Sequence, residues 1–128
     1  AYTASGLTPD GSSTYFLAKH VGLLRAKELF LTNRMLSADE AKQWGFVTEV
    51  VAHDNLAITA NELASQLASG PTKAYGGVKR MLLSSFSSPI ESQLDNETRH
   101  IVGTMDTHDG PHGLNAFLNK ERPRFTGS

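Results

Sequence analysis

Apolar residues recur at three- and four-residue intervals along most of the chain, the period of a helix with one face turned toward a core. Leu23, Ala26, Leu29 and Phe30 form one such face, with Arg25, Lys27 and Glu28 between them. Leu56, Ala60, Leu63 and Leu67 form a second, and Ala74, Val78, Met81 and Leu82 a third. Ile90, Leu94, Ile101 and Met105 mark the longest. Local chemistry punctuates these faces. Ser12 and Ser13 are cap residues ahead of a helix over 14–21 that Gly22 stops or breaks. The next helix, separate or continuous, ends near Thr32-Asn33. Ser37-Ala38-Asp39-Glu40 reads as a capping box opening a short helix that closes at Trp44-Gly45.

Asp54 or Asn55 can cap a helix ending at Gly70-Pro71, and Pro71 can serve as the first residue of the next. Gly76-Gly77 inside that helix costs about 1 kcal/mol each relative to alanine, so close packing against another element is expected there. Ser88-Pro89-Ile90-Glu91 repeats the capping-box pattern with proline at the first helical position. His108 to Gly113 predicts a break, and a last short segment covers 114–118. Only Phe46-Val47-Thr48-Glu49-Val50-Val51 is rich in β-branched residues, which predicts a short strand or extended link. The expected fold is mostly α: about six helices packed antiparallel through short links, with one short extended segment.

Composition narrows the function classes. With 128 residues the chain can bury one core. Its 12 Lys+Arg against 13 Asp+Glu leave no excess charge for a phosphate backbone or an anionic lipid surface, so neither nucleic acid nor membrane is an expected partner. The absence of cysteine removes disulfides, thiolate metal sites and cysteine nucleophiles. No apolar run approaches the roughly 20 residues that span a bilayer, and no signal sequence is recognisable. A soluble, cytoplasmic protein is the expectation. The chain opens at Ala1 without an initiator methionine and runs straight into a Gly-Leu-Thr-Pro turn, so a fragment is expected.

Candidate chemistry begins at Gly6-Leu7-Thr8-Pro9-Asp10-Gly11-Ser12-Ser13. A carboxylate on a proline-glycine turn before a helix can be aimed rigidly into a pocket, where apolar neighbours would raise its pKa toward that of a general base. The same Pro-Asp-Gly is ordinary turn chemistry. His108 and His112 stand four apart with Asp106 and Asp109 nearby, but Gly110 and Pro111 argue against the helix a metal site would need, and no metal is expected. Neither a Walker loop nor Gly-x-Gly-x-x-Gly occurs. From Phe117 to Phe125, aromatics interleave with Lys120, Arg122 and Arg124, which suits either a solvated basic end or contact with a nucleotide-like ligand.

Several of these segments, in order and spacing, resemble the enoyl-CoA hydratase/isomerase (crotonase) superfamily. They are Gly6 to Gly11, Val21-Gly22-Leu23-Leu24-Arg25-Ala26-Lys27-Glu28-Leu29, Leu31 to Arg34, Ser37 to Ala41 and Trp44 to Val47. The close at Ala116-Phe117-Leu118-Asn119-Lys120-Glu121-Arg122-Pro123-Arg124-Phe125 is similar to that family's C-terminal signature. The resemblance implies a ββα spiral fold of about 250 residues, of which this chain would be the helical C-terminal portion. Residues 1–52 would be the end of the core with the Pro-Asp-Gly turn, and 53–128 a helical region that builds trimers, often paired into hexamers. The missing half would supply the oxyanion hole. Without it the isolated chain is expected to be inactive, since one lost donor can cost on the order of a hundredfold in rate.

The resemblance also assigns roles. Asp10 stands where the family's enoyl-CoA isomerases carry a catalytic carboxylate that shuttles a proton on an acyl-CoA thioester. Hydratases of the family place a glutamate eight positions earlier, and that position is Tyr2, a substrate-binding candidate. Dehalogenases of the family carry a nucleophilic aspartate at the Asp10 position and a tryptophan at the Tyr2 position. Phe117 and Lys120 correspond to positions that hold the nucleotide end of CoA. Isomerase chemistry is the first expectation. A hydratase, an aryl-CoA dehalogenase or a helical oligomerisation module only are the alternatives, and no cofactor besides the CoA thioester substrate is implied.

Overall fold

The computed structural model describes residues 2–128. Among them are seven α-helices, two single-turn 3-10 segments and no strand. The chain divides into two compact units, Ala1–Asp54 and Asn55–Ser128, and each is described by itself.

In the first unit, α1 (Ser13–Val21) and α2 (Leu23–Thr32) pack on each other through a corner at Gly22. Gly22 takes φ 84°, a conformation that side-chain-bearing residues rarely adopt, so the sequence break there is a hinge between two helices. Asn33 closes α2 in the left-handed conformation. Of the two serines at the start of α1, Ser12 is left-handed and makes no capping bond, while the Ser13 hydroxyl donates back to the Asp10 carbonyl at 2.7 Å. Helix α3 (Ala38–Gln43) carries half of its expected capping box. Ser37 Oγ accepts the Glu40 amide, but the Glu40 carboxylate turns to Arg34 instead of reaching back.

Arg34 is the clasp of this unit. Its guanidinium donates to both oxygens of Glu40 and to Glu28, and with Arg25 it flanks the Trp44 ring at 5.1 and 4.7 Å. The bidentate bond to Glu40 raises the Arg34 pKa, and the bond from Arg34 lowers that of Glu40. Val21, Ala26 and Ala41 are the buried apolar residues here among those described.

The β-branched run after Trp44 forms an extended link and not a strand. Gly45 at φ 72° turns the chain, the Phe46 amide bonds the Ala41 carbonyl, and the Gly45 amide bonds that of Lys42. These bonds close α3. Beyond them no second extended segment among the described residues offers a ladder, and a lone strand has nothing to pair with.

In the second unit, α4 (Leu56–Ala68), α5 (Thr72–Ser84), α6 (Ile90–Met105) and α7 (Asp109–Leu118) follow one another. Pro71 and Pro89 sit at the caps of α5 and α6, one position earlier than expected, and Ser88 makes no capping bond. The joint between α5 and α6 is partly polar. Buried Gln93 donates to the Met81 carbonyl and accepts from Ser84, and Asn96 bonds the same serine. Gly77 is buried there, with His100 Cδ2 3.4 Å from where a β-carbon would stand, which is the close packing the glycine pair predicted.

Helix α7 corrects the expected break. It begins at Asp109 and runs through Gly110, Pro111 and Gly113. Proline is tolerated in a first turn because its missing amide would have no helical partner there. A β-carbon on Gly110 would lie 2.0 Å from the Thr104 carbonyl oxygen, so only glycine lets α7 meet the end of α6.

The apolar faces of α4 and α6 remain largely exposed, with Leu56 at 58%, Ile90 at 65% and Ile101 at 66%. Apolar helix faces this exposed are characteristic of surfaces that other polypeptide covers.

Candidate active site

The first unit brings two of the predicted site residues together. Tyr2 precedes a single 3-10 turn (Thr3–Ser5), and Gly6 at φ 72° reverses the chain behind it. The Tyr2 carbonyl accepts the Ser5 and Leu7 amides, and the Thr3 hydroxyl donates to the Phe30 carbonyl of α2. Pro9-Asp10-Gly11 then turns into α1, where the Asp10 carbonyl accepts both the amide and the hydroxyl of Ser13. Both backbones are thereby held, and the Tyr2 phenol donates to Asp10 Oδ1 at 2.7 Å.

Asp10 is exposed, and its side chain accepts from this hydroxyl. Among the described residues Oδ2 has no protein partner. The bond to Asp10, its negative charge and partial desolvation push the Tyr2 phenol above its ordinary value of 10.0. The phenol therefore stays protonated at neutral pH and acts as a fixed donor beside a carboxylate with one unengaged oxygen.

Phe117 and Lys120 lie in the second unit. Phe117 is 77% exposed on α7. Lys120 takes φ 58° just past the helix, its amide bonding the Phe117 carbonyl while the Glu121 amide bonds that of Ala116. This is a helix-ending motif usually built on glycine, here carried by a lysine. It leaves the Lys120 side chain exposed within three residues of the Phe117 ring.

Asp109, weighed in the sequence only beside the histidines as a metal ligand, has a structural role instead. Its buried carboxylate accepts the amide and hydroxyl of Thr126 and the amide of Gly127, tying the end of the chain to the start of α7. Burial pushes this carboxyl up, but the Thr126 amide, His108, the Gly127 amide and the Thr126 hydroxyl more than reverse that, holding it at about 2 against an ordinary 3.8. The stacked rings of His108 and His112, 5.7 Å apart, bracket the same place. No group of three or more His, Asp or Glu side chains with metal-holding geometry occurs among the described residues. An open groove of about 520 Å³ between α5 and α6, lined in part by Lys73, Arg80, Arg99 and His100, was also invisible in sequence order. Arg99 is already paired with Asp95. No helix among the described residues is long and apolar enough to cross a membrane.

Known proteins resemble this chain in sequence and in fold. The chain is 37% identical over 127 residues to 1,2-epoxyphenylacetyl-CoA isomerase of Escherichia coli K12, covering 99% of this chain and 48% of that one. It is 35% identical over 121 residues to 4-chlorobenzoyl coenzyme A dehalogenase-1 of an Arthrobacter species, covering 94% and 44%. It overlays the crystal structure of an enoyl-CoA hydratase/isomerase from Cupriavidus metallidurans CH34 with a TM-score of 0.90 and 34% identity, over 99% of this chain and 48% of that chain. The chain thus spans about half the length of the curated relatives it matches, and its helices match the helical C-terminal part of the crotonase fold. The family model for enoyl-CoA hydratase/isomerase matches residues 1–128, and the chain belongs to that family.

Proposed function

We propose that this chain is the C-terminal portion of an acyl-CoA isomerase in which Asp10 is both acid and base. The observation that carries the reading is the Asp10 carboxylate, fixed on a turn whose backbone is bonded at both ends, with one oxygen unengaged. In the reaction, Oδ2 takes a proton from a carbon of the acyl chain, and the C–H electron pair moves into the thioester as a dienolate. Asp10 then returns the proton to the carbon two positions along, and the double bond shifts. Donors facing the thioester oxygen belong to the part of the protein outside this chain.

Phe117 and Lys120 are suited to the nucleotide end of CoA, an exposed ring for stacking and a cation for phosphate. The exposed apolar faces of α4 and α6 support a homo-oligomer. The reaction calls for no cofactor beyond the thioester.

The test is turnover of a 3-enoyl-CoA and a 2-enoyl-CoA by the full-length protein, wild type beside Asp10→Asn. Isomerisation is expected to fall about 10²- to 10⁴-fold in the variant. Undiminished isomerisation, or hydration that persists in both proteins, would overturn the assignment. A second reading, aryl-CoA dehalogenation with Asp10 as nucleophile, draws on the 35% identity to the Arthrobacter dehalogenase. Tyr2 counts against it, because it stands where the family's dehalogenases carry a tryptophan. Chloride release from 4-chlorobenzoyl-CoA distinguishes the two.

A further inference from the structure

We propose that Tyr2 is a positioning residue for Asp10, its phenol engaging Oδ1 so that Oδ2 is the oxygen that moves the proton. The inference rests on the assignment of Asp10 as acid and base, and adds to it which oxygen works and what holds it. The phenol reaches Oδ1 at 2.7 Å, and the backbones of both residues are tied down. A carboxylate on an exposed turn otherwise rotates about its χ torsions and presents either oxygen. One bond across the turn removes that freedom before substrate arrives, which is the kind of ordering that lowers a barrier without tightening substrate binding.

Two other roles for Tyr2 fit less well. As a proton donor to carbon it would need an acidity near neutral, whereas the bond to Asp10 drives its pKa the other way. As a hydrogen-bond donor to substrate it would need its proton, which is already committed to Oδ1.

The experiment uses the full-length protein with Tyr2→Phe, which keeps the ring and removes only the hydroxyl. The expected result is a kcat lower by about tenfold with KM little changed, the loss of one aligned hydrogen bond. Independently, the ζ-carbon NMR resonance of Tyr2, identified as the one missing from Tyr2→Phe, is expected to titrate above pH 10 in wild type and at lower pH in Asp10→Asn. That titration checks the bond itself in solution, and the fall in kcat at little-changed KM separates positioning from a merely structural role. A raised KM with unchanged kcat would assign Tyr2 to substrate binding and overturn the inference, as would a Tyr2 titration indifferent to Asp10→Asn. If Asp10→Asn abolishes turnover while Tyr2→Phe leaves kcat intact, only the positioning role falls. Should Asp10→Asn stay active, the catalytic assignment falls and this inference with it.

Discussion

Two aspartates in this chain occupy opposite environments. Asp10 sits on an exposed turn with one donor and one unengaged oxygen, whereas Asp109 is buried at the start of α7 with both oxygens engaged by the chain end. The glycines beside them differ in the same way. A β-carbon on Gly11 would meet nothing within 4 Å, while one on Gly110 would run into the Thr104 carbonyl at 2.0 Å. A carboxylate whose oxygens are all satisfied holds structure together. One left partly unsatisfied, on a backbone that cannot drift, is available for chemistry.

The sharpest way to break the comparison is Gly110→Ala. Helix propensity alone predicts stabilisation by about 1 kcal/mol, because Gly110 lies inside α7. The backbone contact predicts the opposite, a loss of about 1–3 kcal/mol as α7 is forced away from α6. Thermal unfolding settles the sign: a higher Tm would mean that the close approach of Gly110 to Thr104 does not govern this corner.

Asp109→Asn comes next. It removes the charge that the Thr126 and Gly127 amides address, so hydrogen exchange at those two amides is expected to quicken by roughly tenfold or more. Asp10→Asn should leave both unchanged. Equal exchange in the two variants would erase the distinction between them.

Legibility from sequence followed the same division. The Pro9-Asp10-Gly11 turn, the Gly22 corner, the Asn33 stop and the Ser37 cap could all be read because each is decided by neighbours a few residues away. Tyr2 meeting Asp10 depends on the left-handed turn at Gly6, so sequence and resemblance supplied both residues but not the bond. Gly110 and Pro111 were misread as a helix break because local preference penalises both, while the contact that requires one and the first-turn position that admits the other are visible only in three dimensions. The link after Trp44 failed as a strand for a related reason: β-branched composition supplies a tendency, and a ladder needs a partner.

Acid titration gives the finest separation of the two aspartates. The Asp109 carboxyl is held at about 2, below its ordinary 3.8, so the tied chain end binds its proton more weakly than the released one does. Its contribution is therefore fully present above pH 3.8, declines as pH falls between the two values, and is lost below about 2. The expected observation is that the Thr126 and Gly127 amide resonances hold their positions from neutrality down to about pH 4 and move only as pH approaches 2. A midpoint above 3.8 would mean that burial acts on Asp109 without its donors in solution, and this carboxylate would then differ from Asp10 in burial alone.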